Sequence, residues 1–598
     1  MERGMRRAHH MPFGAELTRA GHVRFRLWAP VARGVELVLC EPQGAGVLPM
    51  TAVGGGFFEL HTAQARPGSL YRFRIDGSLE VADPASRCNP QGVHGPSAVV
   101  DPGQFLWQDG DWRAAPWPTT VLYELHVGTF TPEGTFTAAR ERLAHLVELG
   151  VTAIELMPVG AFPGVRDWGY DGVLPYAPQA SYGTPGELKS LIDHAHRLGL
   201  AVVLDVVYNH FGPEGNYLHH YAPQFFTDRY GTPWGAALNF DGPESGTVRD
   251  FFIHNALYWL EEYHFDGLRL DAVHAIHDAS KPHILRDIAH AVRAGPGADR
   301  PVYLLLENLD NAAQLLGGAH DAQAYDAQWN DDAHHCLHVL LTGESDGYYA
   351  DFAAAPLALL CRSLAEGFAY QGEPSRHAAR ARGERSAHLP PSAFINFLQN
   401  HDQIGNRTHG ERLTSLAEPA SLSAAAAVLL LAPEPPLLFM GEEWGATEPF
   451  AWFCDFEPQL AAQIGAARRR ERPGCPDPGD ATTFARARLD WRAPGRARHA
   501  QTLRSYRQLL ALRHLEIDPL IALVRGGRCV RGTQPLVVEW PAGEHTLRLI
   551  ANLSAVPAAL ERERSAGRVL FATHPAHDSV SAAAELPAWS VLWLLEER

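Results

Sequence analysis

Eight short apolar runs, separated by segments of helical pattern, constrain the fold of this chain more than any other feature. They are VLYELHV, VTAIELMPV, AVVLDVVYNH, LRLDAV, PVYLLLEN, AYDAQW, FINFLQN and PLLFM, and they begin between residues 121 and 436. Short apolar runs that alternate with helices are typical of buried parallel strands. Thr184 and Glu187 have capping-box spacing at the start of one intervening helix, with Pro185 at its first position. The pattern predicts an α/β fold, either a (β/α)8 barrel or a large doubly wound sheet.

Polar residues at the C-terminal ends of these runs distinguish the two folds. At or just past these ends lie Asp205, His210, Asp271, Glu307, Asn400 to Asp402 and Glu442. A barrel gathers the C-terminal ends of all its strands around one pocket. The first run is not followed by a GxGxxG motif, so a dinucleotide-binding sheet loses its main support. We therefore predict a (β/α)8 TIM barrel.

Strand-like alternation flanks the predicted barrel on both sides. HVRFRLWAP and LYRFRID precede it, and PLVVEW, HTLRLIANLS and SVLWLLEE follow it. A chain of 598 residues is also too long for a single core. We predict three domains: an N-terminal β-sandwich over residues 1–110, the barrel over 111–520 with a long loop at 210–247, and a C-terminal all-β sandwich over 521–598.

The net charge and the cysteine pattern of the chain indicate which binding partners and which cellular compartment to expect. The formal net charge of −17 comes from dispersed acids, which argues against a nucleic-acid or anionic-membrane partner. The opening MERGMRRAHHMPFGAEL lacks the apolar core of a signal peptide, and no run is long enough to span a bilayer. Seven scattered cysteines form no CxxC pair and no zinc spacing. We expect a cytoplasmic protein with reduced thiols and no cofactor, assign no metal ligand, and leave open its oligomeric state and whether it binds a structural calcium.

Arg269 and Asp271 lie two residues apart in DGLRLDAVHAI, so a strand directs both to the same face. A buried structural ion pair explains this spacing without any chemistry. Asp271, Glu307 and Asp402 nevertheless end three different strands, and gathering like charges is costly unless something uses them. Retaining glycoside hydrolysis needs an ionised nucleophile and a protonated donor. We expect Arg269 to keep Asp271 ionised, and Glu307, after the apolar VYLLL, to be the donor with a raised pKa. Metal-binding and purely structural roles for these carboxylates stay open.

The motifs DVVYNH, GLRLDAVHA, LLLEN and FLQNHD, in this order, resemble the four short regions of the α-amylase superfamily, glycoside hydrolase family thirteen. The resemblance implies that Asp271 is the nucleophile, Glu307 the acid/base and Asp402 the stabiliser of the transition state. It also implies that the subsite on the non-reducing side of the cleaved bond is lined by Tyr170, His210, Arg269 and His401.

Longer motifs indicate one branch of this superfamily. The N-terminal sandwich resembles the immunoglobulin-like, carbohydrate-binding-like domains of branching and debranching enzymes. NHDQIGNR, YDAQWNDDAHH, FMGEEWGATEPF and FCDFE resemble members that hydrolyse the α-1,4 bond beside the terminal trehalose of a maltooligosyl chain, releasing trehalose. Further substrate contacts are then expected from His274, Asn330, Asp331, Asp332, His334, Gln403 and Asn406. For the residues of WNDDAHH, a capping and loop-bonding role is the alternative.

Two other functions stay open at this point. A glycogen branching or debranching enzyme would share Asp271, Glu307 and Asp402. It would differ only on the acceptor side, where a transferase admits a glucan chain and a hydrolase admits water. A non-catalytic glucan-binding protein would keep the barrel but has no reason to keep all three carboxylates and Arg269. If the mechanism is retaining, the carboxyl groups of Asp271 and Glu307 lie about 5–5.5 Å apart.

Overall fold

Eight parallel strands close into a barrel in the computed structural model, which describes residues 8–40, 46–232, 235–317, 321–560, 567–574 and 585–597. The strands, in order, are Leu122–Leu125, Ala153–Leu156, Ala201–Val206, Gly267–Leu270, Tyr303–Leu306, Ala327–Trp329, Phe394–Phe397 and Pro436–Phe439. The first and eighth strands pair in parallel, with Leu122 opposite Leu437, and this pairing closes the sheet. The predicted (β/α)8 barrel is confirmed.

The barrel is surrounded by helices that follow its strands. Those of ten residues or more are Pro185–Arg197, Ser245–Glu262, Ile284–Ala294, Asp331–Thr342, Pro356–Glu366, Pro419–Leu431, Pro458–Glu471 and Ala497–Leu512. Shorter helices are Val127–Phe130, Phe136–Arg140, Leu143–Leu149, Leu218–Tyr221, His401–Gly405, Leu413–Leu416, Ala481–Arg486 and Asp518–Ile521. The predicted capping box is present, because the Thr184 hydroxyl accepts from the Glu187 N–H while the Glu187 carboxylate accepts from the Thr184 N–H. This box satisfies two N–H groups that would otherwise lack partners at the helix start.

The interior of the barrel is apolar toward the N-terminal ends of its strands. Leu122, Val203, Leu305 and Leu437 pack together there, and Trp117 lies beneath them. Because the side chains that fill this end are apolar, the polar residues of the strands are concentrated at the opposite, C-terminal end.

The N-terminal domain consists of two antiparallel sheets. One contains Gly14–Leu17, Val23–Trp28, Phe57–Thr62 and Thr51–Gly54, and the other contains Gly46–Pro49, Val35–Cys40, Leu70–Ile75, Leu79–Val81 and Ser97–Ala98. Alternate residues of facing strands fill the space between them, as in the edge-to-face pair of Phe25 and Tyr71, whose ring centroids are 4.8 Å apart. The predicted N-terminal β-sandwich is therefore present, and its boundary at residue 110 stays a prediction.

A five-stranded antiparallel sheet forms the C-terminal domain. Its strands are Arg528–Arg531, Leu536–Ala542, His545–Asn552, Ser590–Glu597 and Arg568–Ala572, in that spatial order, and Ala558–Ala559 pairs with Glu585–Leu586 beside it. The sequence pattern predicted three of these strands. Two tryptophans fix the sheet on the barrel, since Trp593 donates to the Ala427 carbonyl at 3.0 Å and Trp540 to the Leu364 carbonyl at 3.1 Å. The boundary at residue 520 stays a prediction.

A disulfide joins Cys361 to Cys529 and corrects one expectation from the sequence. Cys361 lies on the barrel helix Pro356–Glu366, and Cys529 on the first C-terminal strand. The expectation that all seven cysteines are reduced thiols is wrong for this pair, because 168 residues of sequence separate two cysteines that the fold brings together. The five other cysteines are free.

The segment after the third strand has more regular structure than its sequence pattern indicated. It contains the short helix Leu218–Tyr221 and a hairpin of Phe226–Thr232 with Gly235–Leu238, and the next helix begins at Ser245. Phe225 packs edge-on against Phe251, and Phe240 against Phe252, with centroids 5.2 and 5.5 Å apart. Aromatic packing on this helix therefore holds the predicted loop in place.

Within the described ranges, no helix is long and apolar enough to cross a bilayer. In the same part of the chain, no group of three or more His, Cys, Asp or Glu side chains is arranged to hold a metal ion. The N-terminal stretch that carries the signal-peptide expectation lies partly outside the described residues.

Candidate active site

Arg269 lies at the centre of a group of carboxylates at the C-terminal end of the barrel. Its Nη1 donates to Asp205 Oδ2 at 2.6 Å and to Asp271 Oδ1 at 3.0 Å, and its Nη2 donates to Glu307 Oε2 at 2.7 Å. The guanidinium also lies over the ring of Trp329, 3.9 Å from its centroid. Arg269 is fully buried, so it does not itself line the cleft. Its position is fixed by charge on one side and by an aromatic face on the other.

Asp271 follows the fourth strand and is held by two donors. Asn209 Nδ2 donates to Oδ2 at 2.7 Å, and also to the main-chain carbonyl of Asp271 at 2.9 Å, while Arg269 binds Oδ1. Burial raises the pKa of Asp271 above its ordinary value, and Arg269 opposes that rise. The ion pair predicted from the sequence is therefore present, but it offsets the effect of burial rather than leaving the pKa low.

Glu307 follows the fifth strand, and its Oε2 accepts a second hydrogen bond, from the Ala272 N–H at 2.8 Å. Ala272 has φ of +41°, a left-handed conformation that orients this N–H toward the carboxylate. Because the guanidinium of Arg269 contacts Glu307 as well as Asp271, it does not distinguish nucleophile from acid in the way that we expected. It holds the two carboxylates beside each other instead.

Asp402 lies in the first turn of the helix His401–Gly405, after the seventh strand. Asn400 caps this helix, since its side chain accepts from the Asp402 N–H at 2.9 Å while Gln403 Oε1 accepts from the Asn400 N–H at 3.1 Å. Burial in the cleft raises the pKa of Asp402, and the neighbouring His401, 3.6 Å away, lowers it. The capping box thus presents Asp402 to the cleft in a fixed direction.

His401 is a cation at neutral pH. Burial alone would lower its pKa, but its ion pair with Glu124 raises the value to about 9. The ring of Tyr170 stacks on the imidazole with centroids 5.0 Å apart and planes at 26°. Tyr170 in turn donates its hydroxyl to Asp205 Oδ2 at 2.7 Å, which connects it to the acceptors of Arg269. Tyr170 and the three carboxylates bound by Arg269 therefore belong to one hydrogen-bonded group.

These side chains open into a cleft with a volume of about 630 Å³. Of the residues predicted from the sequence, the structure brings to its lining Tyr170, His210, Asp271, His274, Glu307, Asp331, His401, Asp402, Gln403 and Asn406. Burial lowers the pKa of His210 to about 4, so this imidazole is neutral and can donate or accept at physiological pH.

Asp331 enters the cleft from the first turn of the helix Asp331–Thr342. Gln403 Nε2 donates to its Oδ1 at 3.2 Å. Burial, with a further contribution from Glu307, raises the pKa of Asp331 to about 8. A protonated carboxyl group at this position can donate a hydrogen bond to a sugar hydroxyl.

Besides Arg269, three more of the predicted contact residues do not line the cleft. Asn330 donates to the Gly367 carbonyl and to Asn396 Oδ1. Asp332 accepts from the N–H groups of Ala369 and Tyr370, both at 2.9 Å. His334 Nδ1 is 2.7 Å from the Leu398 carbonyl, and Nε2 is 3.1 Å from the Tyr349 hydroxyl. These bonds fit the alternative of a loop-bonding role, and substrate contact by Asn330, Asp332 and His334 stays a prediction.

Several residues of the cleft lining were not predicted from the sequence. They include Trp168, His335, Tyr348, His377, Arg380 and Arg382. His377, Arg380 and Arg382 come from a hairpin in which Pro374–Ser375 pairs with Arg380–Ala381. The available signal was the basic stretch RHAARARGER in a chain of net charge −17, because such a concentration of arginines in an acidic protein indicates a local function.

Parts of the chain match three known families. Residues 102–254 match the alpha amylase catalytic domain, residues 12–86 match carbohydrate-binding module 48, the isoamylase N-terminal domain, and residues 525–593 match a domain of unknown function. The predicted order of a carbohydrate-binding-like sandwich, a barrel and a C-terminal β-domain agrees with these matches.

Individual relatives extend over most of the chain. A malto-oligosyltrehalose trehalohydrolase of Saccharolobus solfataricus is 44% identical over 81% of this chain and 84% of its own length. One from Deinococcus radiodurans is 41% identical over 94% of this chain and 93% of its own length. A crystal structure of an amylase-type protein from Salmonella typhimurium has a TM-score of 0.93 and 43% identity, covering 98% of this chain and all of its own. The chain belongs to the malto-oligosyltrehalose trehalohydrolase family of the α-amylase superfamily.

Proposed function

We propose that the protein hydrolyses the α-1,4-glucosidic bond next to the terminal trehalose of a maltooligosyl trehalose and releases trehalose. The observation that carries the chemistry is the grouping of Asp271 and Glu307 on one buried guanidinium, with Asp402 lining the same cleft. The names of the relatives supply the substrate, since they are 39–44% identical over most of their length. Together these support a retaining glycoside hydrolase.

The first step forms a covalent intermediate. Asp271 attacks the anomeric carbon while Glu307 gives its proton to the glycosidic oxygen, so that the bond to trehalose breaks as the bond to Asp271 forms. Oε2 of Glu307 already accepts from Arg269 and Ala272, which leaves Oε1 to carry the transferred proton. Asp402 stabilises the positive charge that develops on the sugar.

The second step returns the enzyme to its starting state. Glu307, now a carboxylate, takes a proton from water, and the oxygen of that water attacks the anomeric carbon and displaces Asp271. The configuration at that carbon is inverted twice and is therefore retained. The spacing of about 5–5.5 Å between the two carboxyl groups stays a prediction of this mechanism.

The remaining cleft residues are proposed to hold the sugars. Tyr170 supplies an aromatic face for the sugar on the non-reducing side, and the charged His401 and neutral His210 lie beside it. On this proposal the other polar contacts come from His274, Asp331, Gln403 and Asn406.

A cytoplasmic location stays a prediction. The disulfide between Cys361 and Cys529 weighs against it, because disulfides are rare in reducing compartments.

The decisive experiment compares two substrates of equal length. Purified protein is incubated with maltopentaose and, separately, with maltotriosyl-trehalose, and every product is quantified. Rapid release of trehalose from the second with little action on the first is expected. Equal cleavage of both, or new α-1,6 linkages, would instead place the protein in a neighbouring branch of the superfamily. A 1,4-alpha-glucan branching enzyme of Streptomyces avermitilis is 37% identical over 43% of this chain and 46% of its own length.

Glu307→Gln tests the assignment of the acid in the same assay. The substitution removes the transferable proton and changes little else, so kcat is expected to fall by about 10²–10⁴-fold while the glucan still binds. Turnover at the unmodified rate would show that another residue donates the proton.

A further inference from the structure

A second cleft, with a volume of about 500 Å³, lies where the C-terminal sheet meets the barrel. It is bounded by the helices Pro419–Leu431 and Ala497–Leu512 on the barrel side and by the ends of two C-terminal strands on the other. It shares no lining residue with the active-site cleft. Its volume falls in the range of about 300–1,000 Å³ that is typical of small-molecule sites.

The floor of this second cleft is polar and buried. Glu442, which follows the eighth barrel strand, is 5% exposed there. Gln399 Nε2 donates to its Oε2 and the Tyr506 hydroxyl donates to its Oε1, each over a long 3.3 Å. Burial raises the pKa of Glu442 to about 8, so the carboxyl group is mostly protonated at neutral pH. The floor therefore offers hydrogen bonds to a ligand without a net charge.

The two walls differ in chemistry. Phe571 and Trp589, both half-buried, form an aromatic wall on the side of the C-terminal sheet. Thr502 lies on the opposite wall, on a helix face that also carries exposed amide and hydroxyl side chains. Trp589 has φ of +51°, which is unusual for a bulky residue and persists only where the surrounding structure imposes it.

The walls are fixed relative to each other. The hydrogen bond from Trp593 to the Ala427 carbonyl connects the strand after Trp589 to the helix Pro419–Leu431. Because sheet and helix are joined in this way, the cleft exists before any ligand enters, and binding does not have to bring its two sides together.

We infer that this cleft is a second binding site for an α-glucan chain. A glucose ring has an apolar face and a rim of hydroxyl groups. The face packs on Trp589, and the hydroxyls exchange hydrogen bonds with Glu442, Gln399 and Thr502. A cation would meet Arg498 at the rim, whereas a neutral sugar meets no opposing charge there. The identity of the ligand rests on the proposed function.

The test counts binding sites on the full-length protein. Glu307→Gln is titrated calorimetrically with maltoheptaose, with the active-site cleft intact but unable to turn the sugar over. Two equivalents are expected to bind. Adding Thr502→Trp, which fills the second cleft from its exposed helix wall, should reduce this to one. Adding Trp589→Ala should weaken the second site at least tenfold.

Val556→Ala serves as the matched control, because Val556 is 65% exposed on the same domain and lies outside the second cleft. It should leave two equivalents. A single equivalent on Glu307→Gln, or two on the Thr502→Trp protein, would overturn the inference. Failure of the proposed function shows separately: an unmodified protein that releases no trehalose would refute that function and leave the count of binding sites unchanged.

Discussion

Two fully buried arginines at opposite ends of the barrel differ in their main partners. Arg269, at the C-terminal end, binds the carboxylates of Asp205, Asp271 and Glu307. Arg513, after the last long helix, binds three main-chain carbonyls near the start of the eighth strand, those of Leu430, Ala432 and Glu434, at 2.6–3.1 Å. The carboxylate of Asp518 is farther away, with 3.6 Å between Nε and Oδ1. Burial is the same for both, so their difference lies in their partners.

The pKa values show what the partners do. Burial lowers the pKa of Arg513 to about 10. Burial also acts to lower that of Arg269, but Asp205 and Glu307 outweigh it and raise the pKa above its ordinary value. Carbonyls at a chain turn need donors, and an arginine that supplies them stabilises the fold. Carboxylates that lie close together at a cleft repel one another, and an arginine that binds them reduces this repulsion and stabilises the site.

Arg269→Lys should have the largest effect on activity. One ammonium group cannot bind Asp205 and Glu307 through separate nitrogens, so the carboxylates lose their relative position while the charge is kept. We expect kcat/KM for maltotriosyl-trehalose to fall by about 10²–10³-fold with little change in Tm. A loss below tenfold would place Arg269 in the same structural class as Arg513.

Arg513→Met should show the converse. Three buried carbonyls would lose their donor, at a cost of about 1–3 kcal/mol for each group left without a partner. We expect a free energy of unfolding lower by about 3 kcal/mol in urea denaturation and a kcat/KM within about twofold of the original. Arg504→Met, at an exposed arginine of the preceding helix, is the control and should change neither. An inactive but stable Arg513→Met protein would break the comparison.

Asp331 and Asp332 extend the comparison to neighbouring carboxylates. Asp332→Asn should lower the free energy of unfolding by about 2 kcal/mol, because charge-assisted bonds to two N–H groups and to Arg382 are weakened.

Asp331 behaves differently because burial raises its pKa from 3.8 to about 8. The folded state then holds a proton that the unfolded state releases, so stability falls as pH rises from 3.8 to about 8.

Asp331→Asn should therefore be more stable than the unmodified protein at pH 8 and equal to it near pH 4. Thermal melts of both variants across this range make the measurement. The prediction fails if Asp331→Asn has the same pH dependence as the unmodified protein.

Loss of the charge on His401 should have the smallest effect on activity. Unlike Arg269, His401 loses its proton within the pH range that can be assayed. Its pKa is raised from 6.5 to about 9, so its contribution to stability is complete below pH 6.5 and is lost as pH rises through 9. We expect kcat/KM to fall by about half near pH 9, where half of the imidazolium has lost its proton. A profile that stays flat to pH 10 would show that the charge on His401 does not assist Asp402.

The strand ends could be predicted from the sequence, and the faces of the helices could not. Asp271, Glu307 and Asp402 follow apolar runs directly, and a barrel brings the ends of such runs together whatever the details of packing. In WNDDAHH, by contrast, the first helical residue decides which side chains face the cleft. The helix begins at Asp331, so Asp331 and His335, four residues apart, share the cleft face. His334 points to the other side and packs on His338.

The basic hairpin was missed for a different reason. His377, Arg380 and Arg382 lie in a connection whose fold depends on contacts far away in sequence, such as the bond from Arg382 Nε to the Leu309 carbonyl. The disulfide is similar, because spacing alone does not show which cysteines meet. Hydrophobic periodicity in the sequence predicts helices and strands and where they end. Contacts between loops that are distant in sequence can be identified only from the folded structure.

The disulfide between Cys361 and Cys529 turns a large part of the chain into a closed covalent ring. That ring contains the seventh and eighth barrel strands and Asp402. A protease cut between Cys361 and Asp402 would normally separate the chain that carries Asp271 from the chain that carries Asp402. Here the two fragments would migrate as one species on a gel until a reductant is added.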